Sequence, residues 1–289
     1  MKPMIKWTAL ALAVCLPLPA QAHRAWMLPS ATVLSGEDPW ITVDAAVSND
    51  LFYFEHFPMR LKGIGVDTAP AGGAQAMRRP VPELQLIAPD GSRLKAENGS
   101  LGRYRSTFDL HLTQKGTYKL AVANDGLFAS WKENGQTQRW MGSSDGFAKN
   151  VPAKADDLTV SQNSSRMEVF VTSGNPTETV LKTTGKGLEL APLTHPNDLF
   201  AGEAAEFSFL LDGKPAAGVE ISVIPGGNRY RDQLGEIKTT TDEQGRVSIT
   251  WPEAGMYWLE AELKTGKGVT KPATERRASY SATLEVLPR

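Results

Sequence analysis

Through much of the chain the apolar positions fall on every second residue. Phe108, Leu110 and Leu112 alternate with Asp109 and His111, and Tyr118, Leu120 and Val122 alternate with Lys119 and Ala121. A period of two sends one face of an extended strand into a core and the other into water. With residues 113–116 as the connection, these two runs predict a β-hairpin. The alternation recurs over 206–209, 219–223, 247–251 and 280–286, and the separators are Asp-Gly, Gly-Gly and Gly-Lys-Pro clusters of turn type. Helical spacing is missing from every window of about twelve residues, and only a short helix near 153–157 is expected. The pattern predicts an all-β chain whose 26 glycines and 19 prolines punctuate short strands.

The first 22 residues break that pattern. Lys2 and Lys6 precede an apolar run from Ala9 to Leu18, and Ala20-Gln21-Ala22 has the small-x-small form of a cleavage site. This is the layout of a secretory signal peptide, so a periplasmic protein beginning at His23 is expected. Cys15 lies inside the apolar run behind the bulky Val14, which argues against a lipoprotein anchor. Trimming would remove the one cysteine, leaving neither disulfides nor thiolate ligands.

A boundary is expected near 185–196, where Gly174-Asn175-Pro176 and Thr183-Thr184-Gly185-Lys186-Gly187 follow a strand-like segment at 167–172. Residues 186–289 carry the turn-punctuated short strands of an immunoglobulin-like sandwich. Residues 23–185 predict a second β-rich domain with longer loops. One of these, Gly63 to Pro82, is rich in Gly, Ala and Pro and holds Met77, Arg78 and Arg79. Two β-sandwich domains are the expected architecture.

Charge removes some functions. The chain has 31 Lys and Arg against 32 Asp and Glu, so no basic stripe suits a nucleic-acid backbone. The sequence has no phosphate loop or His-Glu-x-x-His pair, and the Asp156-Asp157 pair reads as a solvated turn. No enzyme is expected.

Histidine is the scarce resource, with 4 in the chain. As the first residue after cleavage, His23 would offer its free amine and its imidazole Nδ1 to one metal ion in a six-membered chelate ring. His56, in Phe54-Glu55-His56-Phe57-Pro58, and His111, on the polar face of its strand, are candidate further ligands. Glu55 is a candidate ligand or orienting carboxylate. His195, in Thr194-His195-Pro196, reads as structural. The aromatic run Leu51-Phe52-Tyr53-Phe54-Glu55-His56-Phe57 is denser than one strand face can bury, and it predicts a binding platform or a shield for the metal. Arg60, Arg78 and Arg79 are candidate anion contacts, and Arg229-Tyr230-Arg231-Asp232 reads as an exposed charged loop.

The stretch from Ala22 to Pro29, the stretch beginning Val47-Ser48-Asn49-Asp50, the run from Leu190 to Leu199, Gly202-Glu203, Asp212-Gly213-Lys214-Pro215 and Asp242-Glu243-Gln244-Gly245-Arg246 together resemble a family of exported bacterial proteins. That family has no assigned biochemical function. It is labelled as a nickel-uptake-type or cobalt/nickel-transport-associated periplasmic component, often linked to TonB-dependent outer-membrane receptors. The resemblance spans nearly all of residues 22–289, and the family's opening histidine maps onto His23. It implies β-sandwich architecture, periplasmic residence and a role in acquiring a transition metal (nickel, copper or cobalt) or a metal chelate, with a TonB-dependent receptor or inner-membrane transporter as partner. The rival reading is an adhesion or carbohydrate- or protein-binding module. A third is a copper enzyme built on an N-terminal histidine brace.

Overall fold

The computed structural model describes residues 23–65 and 81–289. The expected leader, with Cys15, and residues 66–80, with Met77, Arg78 and Arg79, lie outside the described residues. In the N-terminal half the alternating segments become β1 (Arg24–Pro29), β2 (Val33–Leu34), β3 (Trp40–Ser48), β4 (Phe57–Pro58), β5 (Leu84–Ile87), β6 (Arg93–Leu94), β7 (Glu97–Leu101), β8 (Ser106–His111), β9 (Gly116–Glu133), β10 (Gln136–Gly142) and β11 (Asp156–Ser173). The C-terminal half adds β12 (Leu188–Pro192), β13 (Ala204–Leu211), β14 (Lys214–Pro215), β15 (Glu220–Pro225), β16 (Ile237–Thr240), β17 (Arg246–Thr250), β18 (Gly255–Thr265) and β19 (Glu275–Val286). The short helix falls at Ser144–Asn150 and not at 153–157, where β11 already begins.

The strands form two sandwiches of one plan. In the N-terminal sandwich β1-β3-β8-β7 form one sheet and β6-β5-β9-β11 face it; in the C-terminal one β12-β13-β17 face β16-β15-β18-β19. Read in chain order, both follow the immunoglobulin-like A-B-E(-D) against C′-C-F-G arrangement. Both carry a tyrosine corner at the start of strand F of that plan, β9 and β18. Tyr118 Oη donates to Gln114 O at 2.9 Å, and Tyr257 Oη donates to Glu253 O at 2.8 Å.

The expected hairpin of 108–112 with 118–122 does not form. β8 pairs with β3 and β7, while β9 pairs with β5, β10 and β11. Phe108 and Leu110 meet Tyr118, Leu120 and Val122 across one core instead. Alternation reports which face is buried, and two strands opposed across a sandwich carry the same signal as two strands side by side.

β11 and β19, the last strands of the two sandwiches, pair in parallel from Ser161↔Glu275 to Val169↔Thr283, making one ten-stranded sheet. Met167, Val169 and Val171 of β11 enter the N-terminal core, whereas Ala278, Tyr280 and Ala282 of β19 enter the C-terminal core. Ser279 and Ser281 are the register partners of Ser165 and Met167, so the two sandwiches are completed on opposite faces of the shared sheet. A third cluster, Trp26, Ala46, Leu51, Ile224 and Trp258, fills the seam where β1 lies over the outer face of β15 and β18.

Tyr257 and Trp258 are adjacent but point to opposite faces, and they separate the two contributions. Removing the corner hydroxyl by Tyr257→Phe is expected to destabilise by about 1 kcal/mol. Emptying the seam by Trp258→Ala is expected to cost about 3–5 kcal/mol. Equilibrium denaturation with urea checks both.

Candidate functional site

The aromatic run is a loop wrapped into the seam between the sandwiches. Phe52 and Phe54 each pack 5.5 Å from Trp26, ring centre to ring centre. Arg105 covers Phe54 at 4.5 Å, and Arg229 covers Tyr53 at 4.0 Å. The loop enters at Phe52 with φ of 61°, an uncommon conformation for a bulky residue. The other domain fixes it, as Asn228 Oδ1 accepts from Leu51 N at 2.8 Å and Asn228 Nδ2 donates to Asp50 Oδ1 at 3.1 Å. Gly226 is required beneath it, since a Cβ there would lie 2.8 Å from a Phe52 ring carbon. The platform expected from the run is therefore largely spent on holding two domains together; Phe57, 46% exposed, is the ring left open. The charged loop read as merely exposed is the clamp. Arg229 sits 3.7 Å from Asp50, and Arg231 folds its own loop by donating to Gly226 O and Pro225 O.

His23 and His56 meet. Their ring centroids are 3.9 Å apart and inclined by 34°, and both side chains are solvent-exposed. The topology explains this convergence of residues 33 positions apart. β1 and β4 flank the same end of β3, with Ala25 and Phe57 both paired to Val47, and each histidine immediately precedes its strand. Phe57 contacts both rings, edge-on to His23 at 5.8 Å and 5.0 Å from His56.

The other two candidate ligands do not join them. His111 pairs with Trp40 at the opposite end of β3, about 26 Å away along the strand. There it stacks on Trp40 at 4.2 Å and its Nε2 bonds Asp38. Glu55 is adjacent in sequence, but its carboxylate caps the loop by accepting from Asn49 N at 2.9 Å and Asp50 N at 3.0 Å, with Arg229 beyond. Among the described residues no group of three or more His, Cys, Asp or Glu is arranged to hold a metal.

Two further titratable groups have altered environments. Burial pushes the Glu260 carboxyl up to about 7; Glu262 and Glu236 add repulsion, and Arg24 partly offsets it. These groups line a polar cavity of about 570 Å³ that begins at Arg24, the residue after His23. His195 is structural: its Nδ1 accepts from Asn197 N at 3.1 Å, so its Nε2 carries the proton and faces Thr117 Oγ1 at 3.0 Å and Thr177 O at 3.3 Å. Burial holds its pKa below the usual imidazole value.

A family model described as Domain of unknown function (DUF4198) matches residues 20–265. Among solved structures the D0-D1 domain of Intimin is similar to the chain at 10% identity with a TM-score of 0.21, over 90% of this chain and 97% of that one. The sandwich assignment rests on the strand pairings alone. No curated protein matches the chain.

Glu260 and His195 give opposite pH signatures. His195 binds its proton less readily folded than unfolded, so its contribution is complete above about pH 6.5 and is lost as pH falls through the lowered folded value. Glu260 binds its proton more readily when folded; its contribution is complete below pH 4.5 and is lost as pH rises through about 7. Glu260→Gln is expected to raise the thermal midpoint at pH 8 and to lose that advantage at pH 4.5, whereas His195→Gln should flatten the loss of stability between pH 7 and 5.5. Melting curves across this range check both.

Proposed function

The chain belongs to the DUF4198 family, and from that premise we propose that it is an exported, non-enzymatic periplasmic protein that binds a transition-metal ion or small metal chelate for uptake. The observation that carries this reading is the His23–His56 contact at the first described residue. Cleavage after Ala22 would free the His23 amine beside its own Nδ1, two donors on one residue, and His56 supplies a second imidazole. Structural zinc and related sites hold imidazole nitrogen at about 2.0–2.1 Å from the metal. Two rings already in contact need only side-chain rotation to aim one nitrogen each at a common point.

An all-nitrogen donor set with imidazole suits nickel, copper and cobalt, and the order of intrinsic affinities places copper above the other two. Phe57, packed against both rings, shields one side. The exposed position leaves the cargo open to a transporter or a TonB-dependent receptor. All three nitrogens must be unprotonated to bind, so binding releases protons and weakens in acid.

The test is a calorimetric titration of nickel(II), copper(II) and zinc(II) into the processed protein, with its first residue fixed by mass spectrometry. One extra residue before His23, or His56→Ala, is expected to weaken binding by about tenfold or more. His111→Ala and Glu55→Gln should leave it unchanged. Undiminished affinity in the extended protein refutes terminal chelation.

A further inference from the structure

The face of the shared sheet that the N-terminal sandwich covers only in part holds a groove of about 1080 Å³ running across both domains. Its floor is a row of register partners: Asn124 on β9, Ser165 on β11, Ser279 on β19, Glu262 on β18 and Glu220 on β15. Four inter-strand steps give the row a length of about 19 Å. Asn163, one pleat further along β11, faces the same way and lines the same groove. The walls include Phe57, Pro58, Val81, Pro82 and Met141. Phe57 ties the rim of the groove to the histidine pair.

We propose that this groove binds a neutral polyhydroxylated chain, an oligosaccharide, laid across the strands. Three observations point there. First, the side chains of Asn124, Ser165 and Ser279 have no hydrogen-bond or ionic partner among the described residues, although each can both donate and accept. A sugar hydroxyl also does both, and the carboxamide of Asn matches two neighbouring hydroxyls. Second, the charged residues of the lining balance, with Arg60, Lys264 and Arg277 against Asp125, Glu220 and Glu262. Lys264 and Arg277 are each also paired with Glu275, so neither stands as a free cation that would select an anionic ligand. Third, at Ser165, Ser279, Glu262 and Glu220 the floor strands are hydrogen-bonded on both sides, so along that stretch the backbone offers no free edge to an extended peptide. Recognition there must use side-chain amides, hydroxyls and an exposed ring, which is the donor set of a sugar site; the ring is Phe57.

Affinity electrophoresis of the processed protein in gels containing dextran, galactomannan or mixed-linkage glucan, with a neutral oligosaccharide array alongside, tests this. All measurements are made with EDTA present. Retardation by at least one neutral glycan is expected. The Asn124→Ala/Ser165→Ala pair should weaken it about tenfold, the loss of two hydrogen bonds, and Ser165→Trp should abolish it by filling the groove. Trp40→Ala, on the far face of the other sheet, should leave it unchanged. Absence of any glycan binding, binding that survives both groove variants, or binding lost only in Trp40→Ala overturns the proposal. So does capture of extended peptides from a peptide array by a groove that takes no glycan. Because the chelator removes metal throughout, failure here with intact metal titration sinks the groove inference and leaves the histidine site standing.

Discussion

The structure depends on the parallel ladder between β11 and β19. An immunoglobulin-like sandwich ends in an edge strand whose N–H and C=O groups are unpaired along one side, a liability in any exposed sheet. Each of these two sandwiches closes the other's edge. Parallel pairing of two like strands has a geometric consequence, because partners in register share a face. Met167 faces the N-terminal core beside Ser281, and Glu168 and Tyr280 share the other face, where Tyr280 Oη donates to Glu168 Oε2 at 3.1 Å. One sandwich must therefore be completed above the sheet and the other below it.

That offset creates both the seam and the groove. Along β15 and β18 the outer face of the C-terminal sandwich would be open to water. It is apolar at Ile224 and Trp258, where β1 and the 50–54 loop cover it, and polar from Glu260 and Ser222 onward, where Arg24 borders a polar cavity. On the opposite face the junction buries charge: Lys119 lies 3.7 Å from Glu168, Arg166 lies 3.2 Å from Glu168 and 3.4 Å from Glu189, and Glu189 also accepts from Thr184 N and Gly185 N. Two cations facing two carboxylates, with the remaining lone pairs of Glu189 satisfied by backbone, is a balanced cluster. Removing one partner would strand a buried charge, which makes the cluster a constraint on domain register more than a source of stability.

The sequence carried the class of the fold because burial of one strand face is a local, period-two signal. It did not carry which strands face which, and the misread hairpin at 108–122 shows why: pairing and opposition leave the same alternation. A second β-sandwich was expected in the N-terminal half, but its immunoglobulin-like plan was hidden by long loops, although its tyrosine corner was present as Gln114-x-x-x-Tyr118, the spacing repeated at Glu253-x-x-x-Tyr257. At the candidate site, His23 and His56 were legible as residue types with the right chemistry. Their contact was not, because it arises from two strands flanking one end of β3. His111 had equal claim from spacing and lies at the other end of that strand. The groove floor was visible only as ordinary polar alternation, Glu260-x-Glu262-x-Lys264 and Arg277-x-Ser279-x-Ser281, until the parallel ladder set it beside Asn124 and Ser165.

The position of His23 bears on the proposed metal site, in which it would be the first residue of the chain. A chain terminus ordinarily loses much conformational freedom on binding, and that loss subtracts from affinity. Here the ladder to β3 begins at Arg24↔Ser48, so the residue after His23 is already fixed. Arg24 is held further by its guanidinium over the Trp258 ring at 5.4 Å, and Ala25 O accepts from Trp258 Nε1 at 3.2 Å. The C-terminal domain thus anchors the strand that presents the histidine, while Asn228 and Arg229 anchor the loop that presents His56. Both arms of the pair are held across the seam from outside their own domain. The ordering cost of the proposed site would be met by the same contacts that join the sandwiches, which ties the geometry of the histidine pair to the seam as closely as to the two imidazoles themselves.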